Sequence, residues 1–284
     1  MKISYLVPSY NHAEYVYDCL ESIKLDMFCA NEIIILDDGS DDCTFEIVKK
    51  WQFENRELDV KVLQQANCGI STTLNRLILQ SNGDFIRPVA SDDLLITGGT
   101  RSLVNSLLEA PNKLVAFGDV QTLSTDGKVI ASSHMQYLNK KKNLYSGDLQ
   151  AAIISEWAVA GPASLYRKNF FNNIGQFDES IIIEDWNMYL RLAASDNLLF
   201  VNNVVAGYRI HGANTSRTKN VDKRIKNLRS QFEGGEKCIA LFKIPYVYLL
   251  KAELNLLQAK ISFLRRDFFK VSLFLLKYSY LKLK

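Results

Sequence analysis

The sequence predicts an α/β fold: a mostly parallel central sheet flanked by helices, with a helical C-terminal appendage. Three observations carry that prediction. Four short apolar runs alternate with helix-period stretches over residues 1–95, the pattern of parallel strands joined by right-handed crossovers. The runs break off at polar or acidic residues, which places several functional groups along one sheet edge. Residues 246–284 then carry leucine and aromatic residues at helical spacing among lysines and arginines, as an amphipathic helical segment does.

Composition bounds the function. The chain has 284 residues, 48% hydrophobic and 23% charged, enough to bury a full core in one large domain or in a domain with an appendage. Cys19, Cys29, Cys43, Cys68 and Cys238 are scattered with no Cys-x-x-Cys pair. The first residues run straight into a strand pattern rather than a signal peptide. Both features lead us to expect a reducing, cytoplasmic setting. His12, His134 and His211 form no Cys/His cluster in sequence, so zinc is not expected. The net charge of +3 is uneven, because residues 246–284 hold eight basic and two acidic residues, a net of +6, leaving the rest at −3.

Taken in order, Ile3–Val7 reads as a strand broken by Pro8-Ser9-Tyr10-Asn11, with a helix at about Glu14–Leu25. Glu32–Leu36 is the second strand; it ends in Asp37-Asp38-Gly39-Ser40-Asp41-Asp42, where Ser40 or Asp41 is expected to cap a helix over Cys43–Trp51. Val60–Gln64 is the third, followed by Asn67-Cys68-Gly69 and a helix to about Leu79. The fourth, from Phe85 to Ala90, stops at Asp92-Asp93. Two adjacent carboxylates at the carboxyl end of a buried strand suit a hard divalent cation, Mg2+ or Mn2+. Taken in isolation, an Asp-Asp pair reads first as a solvated turn that starts the next helix, and the rest of the chain reverses that preference.

Beyond Leu95 come a helix at Gly99–Glu109, a strand at Leu114–Phe117 and a hairpin around Asp126-Gly127. Residues 137–148, with Lys140, Lys141 and Lys142, read as a solvated loop rather than a nucleic-acid patch. Ala160-Gly161-Pro162 offers small residues for close approach of a ligand or for a tight packing turn. Glu184-Asp185-Trp186 opens a helix running to Ala194, and capping alone accounts for one of its two acids. After a strand at Leu198–Val201, His211 read by itself is a loop or packing histidine. In the C-terminal stretch, Leu250, Leu254, Leu257, Ile261 and Leu264 recur with Lys251, Lys260, Arg265, Arg266, Lys270 and Lys277 interspersed. A helical hairpin packed on the body or on a second subunit, as in a homodimer, and an anionic membrane surface are both open as its role. No apolar run is long enough to span a bilayer.

If the first four strands are parallel, Tyr10, Asp38, Asn67 and Asp92-Asp93 converge. An aromatic ring and carboxylates there fit a nucleotide. Neither phosphate-binding glycine motif is present, so a cation would have to carry the diphosphate charge.

The ordered set Val7-Pro8-Ser9-Tyr10-Asn11, Asp37-Asp38-Gly39-Ser40, Asn67-x-Gly69, Ser91-Asp92-Asp93, Glu184-Asp185-Trp186 and Tyr208-Arg209-x-His211-x-x-Asn214-x-Ser216 resembles family 2 inverting glycosyltransferases of the GT-A fold, with its Rossmann-like sheet. The resemblance spans about residues 1–220: a nucleotide-binding half over 1–95 and an acceptor-side half over 96–220, leaving 221–284 as a basic helical region. It implies that Pro8, Tyr10 and Asp38 flank the donor base and that Asn67 and Asp92 belong to the nucleotide site. It makes Asp93, Asp92 and His211 the metal contacts and Asp185 the catalytic base, with Gly161, Glu184 and Trp186 shaping the acceptor side. One departure is Ala90, where many relatives carry an Asp two places before Asp92. The implied reaction moves a sugar from a nucleotide-sugar, UDP by default, to a lipid-linked or surface-polysaccharide acceptor such as an O-antigen or capsule intermediate, on the inner face of the plasma membrane. A catalytically silent nucleotide-sugar-binding subunit of an assembly complex is the alternative, supported by Ala90 alone. A nucleotidyltransferase would want a glycine-rich basic first loop, which Pro8-Ser9-Tyr10-Asn11 is not.

Overall fold

In the computed structural model, residues 1–140, 144, 146–212, 214 and 218–284 are described; Lys141, Lys142 and Ser216, named above, lie outside them. The chain divides into two compact units. The first comprises Met1–Asn139, Val159–Phe177 and Asn197–Ile210, and the second Lys140–Ala158, Asp178–Asp196 and His211–Lys284.

Among the described residues, all strands lie in the first unit and form one nine-stranded sheet. Its beginning follows the sequence closely: β1 (Lys2–Ser9), α1 (Val16–Asp26), β2 (Ala30–Asp37), α2 (Thr44–Glu54), β3 (Val60–Gln64), α3 (Ile70–Gln80) and β4 (Phe85–Pro88). β3, β2, β1 and β4 are neighbours in that order and mutually parallel. β1 and β2 are buried over nearly their whole lengths, which is why Ile3-Ser4-Tyr5-Leu6-Val7 and Ile33-Ile34-Ile35-Leu36 are continuous rather than alternating. Each such aliphatic side chain contributes about 1.5–3 kcal/mol by leaving water.

Past β4 the sheet becomes mixed. The elements are β5 (Leu94–Leu95), α4 (Gly99–Glu109), β6 (Val115–Leu123), β7 (Val129–Ala131), α5 (His134–Tyr137), β8 (Ser164–Arg167), α7 (Phe170–Asn173) and β9 (Leu198–Arg209), with α6 (Leu149–Ser155) in the second unit. β8 runs antiparallel between β4 and β6, and β9 lies parallel to β6 and antiparallel to β5. The expected hairpin is present as β6–β7, with Gly127 at φ 79° in its turn. One local expectation is corrected. Neither Ser40 nor Asp41 caps α2, because Ser40 turns back to Asp37 while Asp42 accepts the Thr44 N–H at 3.0 Å.

The second unit is helical: α6 (Leu149–Ser155), α8 (Glu184–Ala194), α9 (Val221–Glu236), α10 (Tyr246–Leu264) and α11 (Phe268–Lys282). Its centre is Trp186, buried, with its indole N–H donating to the Ile153 carbonyl at 2.9 Å. Asn187 donates to the Gly234 carbonyl at 2.8 Å, joining α8 to α9. A Cβ at Gly235 would stand 2.6 Å from Leu254 and 2.9 Å from the Trp186 ring, so glycine is what lets α9 approach both. α10 and α11 form a helical hairpin, tied by Lys282 to Glu253 at 2.9 Å.

Candidate active site

In the first unit, three loops at the carboxyl ends of the parallel strands are fastened to one another. The loop after β1 is bonded to the loop after β2: Asn11 N–H donates to Ser40 Oγ at 2.9 Å, Asp41 N–H donates to Asn11 Oδ1 at 2.8 Å and Ala13 N–H donates to Asp42 Oδ2 at 3.1 Å. Asn11 adopts φ 54°, a left-handed conformation that asparagine tolerates. The loop after β3 is held by Asp38, whose carboxylate accepts the N–H groups of Cys68 and Gly69, each at 2.9 Å, and the Gln65 amide at 2.7 Å. Gly39, at φ 73°, permits the approach; a Cβ there would fall 2.9 Å from the Asn67 nitrogen. Pro8 is buried at the end of β1, whereas Tyr10 and Asn67 are exposed.

Asp92 and Asp93 sit in the turn between β4 and β5, several residues before α4 begins. The pair therefore does not start a helix. Both are buried and they are differently engaged. Asp93 Oδ1 accepts the Arg209 N–H at 2.9 Å, and burial together with the Asp92 charge pushes its carboxyl well above the usual range. Asp92 Oδ2 stands 3.7 Å from His12 Nε2. The His12 ring is set by a 2.8 Å contact between Nδ1 and Ser91 Oγ, and its backbone N–H donates to Thr44 Oγ1 at 2.8 Å. A carboxylate beside an imidazole is a donor set that Mn2+ accepts.

Arg209, at the end of β9, ties this turn together. Its Nε donates to the Asp92 carbonyl at 2.9 Å, one terminal nitrogen donates to the Thr125 carbonyl at 2.8 Å, and the guanidinium lies over the Tyr15 ring at 5.0 Å. Sequence reasoning assigned a role to neither His12 nor Arg209. The signal for His12 was its place in the loop after β1, at the ligand-binding edge. For Arg209 it was a lone cation closing an apolar strand.

The remaining expected residues divide between the units. Gly161 begins a 3-10 turn, Gly161–Ala163, just before β8 in the first unit, and a Cβ there would meet nothing within 4 Å. His211, Glu184, Asp185 and Trp186 belong to the second unit. His211 follows β9 by two residues; its N–H donates to Asn214 Oδ1 at 2.7 Å and its Nε2 lies 3.2 Å from the Asn214 amide nitrogen. Glu184 and Asp185 form the first turn of α8, where Asp185 Oδ1 accepts the Trp186 N–H at 2.6 Å. Burial, and then the Asp185 charge, raise Glu184 to about 8, while burial raises Asp185 to about 6 against the Trp186 hydrogen bond. Trp186 is buried and holds α8 against α6 through its indole N–H.

The family described as "Glycosyl transferase family 2" matches residues 4–175. Among curated relatives, the chain is 24% identical over 225 residues to a chondroitin synthase of Pasteurella multocida (strain Pm70), covering 79% of this chain and 22% of that one. It is 23% identical over 193 residues to a poly-beta-1,6-N-acetyl-D-glucosamine synthase of Staphylococcus aureus (strain COL), covering 66% of this chain and 46% of that one. The chain thus spans only part of the length of these relatives. Among solved structures it resembles S. aureus TarS 1-349 in complex with UDP-GlcNAc, at TM-score 0.66 and 20% identity over 90% of this chain and 72% of that one. It also resembles a mannosyltransferase, PcManGT, from Pyrobaculum calidifontis in complex with GDP-Man and Mn2+, at TM-score 0.68 and 15% identity over 98% of this chain and 73% of that one. At these identities the structural likeness establishes the GT-A type of fold. Because the family match runs over more than half of the chain, this protein belongs to glycosyl transferase family 2.

Proposed function

We propose that the chain transfers a sugar from a nucleotide-sugar donor, with UDP as the default nucleotide, to a hydroxyl of a surface-polysaccharide or lipid-linked acceptor, with inversion at the anomeric carbon. The observation that carries this reading is the set of loops fastened at the carboxyl edge of β3, β2, β1 and β4: the Asp38-held loop on one side and Asp92 beside His12 on the other. In this reading Pro8, Tyr10, Asp38 and Asn67 form the nucleotide side. In a chain whose Ala90 leaves out the usual first carboxylate, His12 beside Asp92 would help to hold a divalent cation. Asp93 would add only the oxygen not engaged by Arg209. A mixed nitrogen and oxygen set favours Mn2+ over Mg2+. Such a cation supplies neutralisation of the charge that develops on the leaving diphosphate.

Residues 1–220 form the transferase portion in this proposal, and Asp185 is its base. Asp185 removes the proton from the acceptor hydroxyl as that oxygen bonds to the anomeric carbon. The bond from that carbon to the diphosphate oxygen breaks, and the nucleoside diphosphate departs with the bonding pair. Burial of the carboxylate makes it a better base than a solvated aspartate. Glu184, protonated at neutral pH, leaves the Asp185 charge as the single negative charge of the pair, and Gly161 is the acceptor-side position that the family resemblance implies.

The test is a donor screen: purified protein, a panel of nucleotide-sugars, Mn2+, Mg2+ or chelator, and detection of released nucleoside diphosphate, with binding of the same donors measured by calorimetry. Metal-dependent release from one donor, lost in Asp92→Ala, is the expected outcome. Failure of every donor both to bind and to be hydrolysed would refute the reading.

A further inference from the structure

α11 is a largely apolar helix with lysines along one flank, and among the described residues nothing folds against its outer face. Its half-buried residues, Val271, Phe274, Tyr278 and Leu281, recur every three to four positions and mark the side that packs in the hairpin with α10. On the opposite side, Phe269 is 80% exposed, Leu276 70% and Tyr280 60%, and Leu283, just past the helix end, is 88% exposed. Side chains this large and this apolar, gathered along one helix face, mark an interaction surface.

The charges beside that face carry one sign. Lys270, Lys277 and Lys284 stand seven residues apart, which sets them in a row on one flank of the apolar stripe. Lys277 and Lys284 cover the rings of Phe274 and Tyr280, at 5.6 and 5.1 Å. Arg265 and Arg266 precede the helix in the turn after α10, and α11 itself contains no acidic residue. The nearby Asp267 caps the helix and pairs with Lys270 at 2.8 Å.

We infer that the outer face of α11 lies on an anionic lipid surface, with Phe269, Leu276, Tyr280 and Leu283 entering the headgroup boundary and the lysine row contacting lipid phosphates. None of the described helices is long and apolar enough to cross a bilayer. A second copy of the chain is disfavoured as the occupant, because α11 has lysines and no acidic residue and so offers a like copy no opposite charge. This inference stands on α11 alone and does not depend on the transfer reaction.

The full chain should co-sediment at least ~10-fold more strongly with vesicles containing phosphatidylglycerol than with vesicles of phosphatidylcholine alone, and salt should weaken the difference. Lys270→Glu combined with Lys277→Glu should abolish the preference for anionic vesicles. Phe269→Ser combined with Leu276→Ser should remove binding to both kinds of vesicle. All four side chains are exposed, so an unchanged Tm in each variant confirms that folding is intact. Two outcomes overturn the proposal: equal sedimentation of wild type and both variants, or a concentration-dependent dimer that Phe269→Ser with Leu276→Ser dissolves while vesicle binding is absent.

Discussion

At the scale of single residues, the most informative groups are the two acids that open α8. Asp185, raised to about 6, must be ionised to take a proton. The rate kcat/KM should therefore climb about tenfold per pH unit below about 6 and level off above it. Asp185→Asn should lower the rate by about 10²–10⁴ while leaving donor binding by calorimetry within a few-fold of wild type. Turnover near that of wild type in this variant would remove Asp185 from the role of base. Glu184 gives an independent reading through stability. Its folded pKa, about 8, lies above its unfolded value near 4.5, so the native state binds more protons than the unfolded state between those pH values. Stability should accordingly fall as pH rises through that window. Glu184→Gln should flatten the dependence by on the order of 1–2 kcal/mol, read from urea midpoints at the acid and alkaline ends.

At the scale of elements, the candidate site depends on strand ends being fixed by side chains from distant parts of the chain. β9 brings Arg209 to the β4–β5 turn, where its side chain serves the Asp92 and Thr125 carbonyls and its backbone N–H serves Asp93. Lysine keeps the charge but lacks the planar fork that reaches two carbonyls at once. Arg209→Lys should therefore cost about 1–3 kcal/mol for each buried carbonyl left without its donor. The Tm would record that loss. If the turn also loosens, Mn2+ titrated by calorimetry should bind more weakly, and an unchanged Tm and Mn2+ affinity together would show that Arg209 does not organise the turn. The helices of the second unit work in a parallel way. α8 is positioned by Trp186 and Asn187 against α6 and α9, so the acids at its start inherit their place from packing rather than from a cap.

At the scale of the whole molecule, chain order and spatial grouping part company. Residues 140–158 and 178–196 lie between strands in the sequence, yet they group with the C-terminal helices. Charge is distributed unevenly as well, with +6 gathered in residues 246–284. The family match ends at residue 175, short of Asp185, His211 and the basic helices.

The sequence by itself determined the parallel start of the sheet, because doubly covered strands must be continuously apolar and their crossovers must be right-handed. It determined the edge at which Asp38, Asn67 and Asp92-Asp93 lie, since parallel strands bring successive carboxyl ends to one side. Only the tertiary structure decided how those groups are used. Nothing in the spacing of Asp38 shows that its carboxylate is already accepting the Cys68 and Gly69 N–H groups. Nor does spacing show that Asp93 answers to Arg209, 116 residues away, while Asp92 faces His12, 80 residues away. Hydrogen bonds and ion pairs act over a few ångströms of space, and sequence periodicity reports only the next turn of helix or the alternate residue of a strand. The pairing of side chains from β9, the β4–β5 turn and the loop after β1 is therefore a property of the folded sheet.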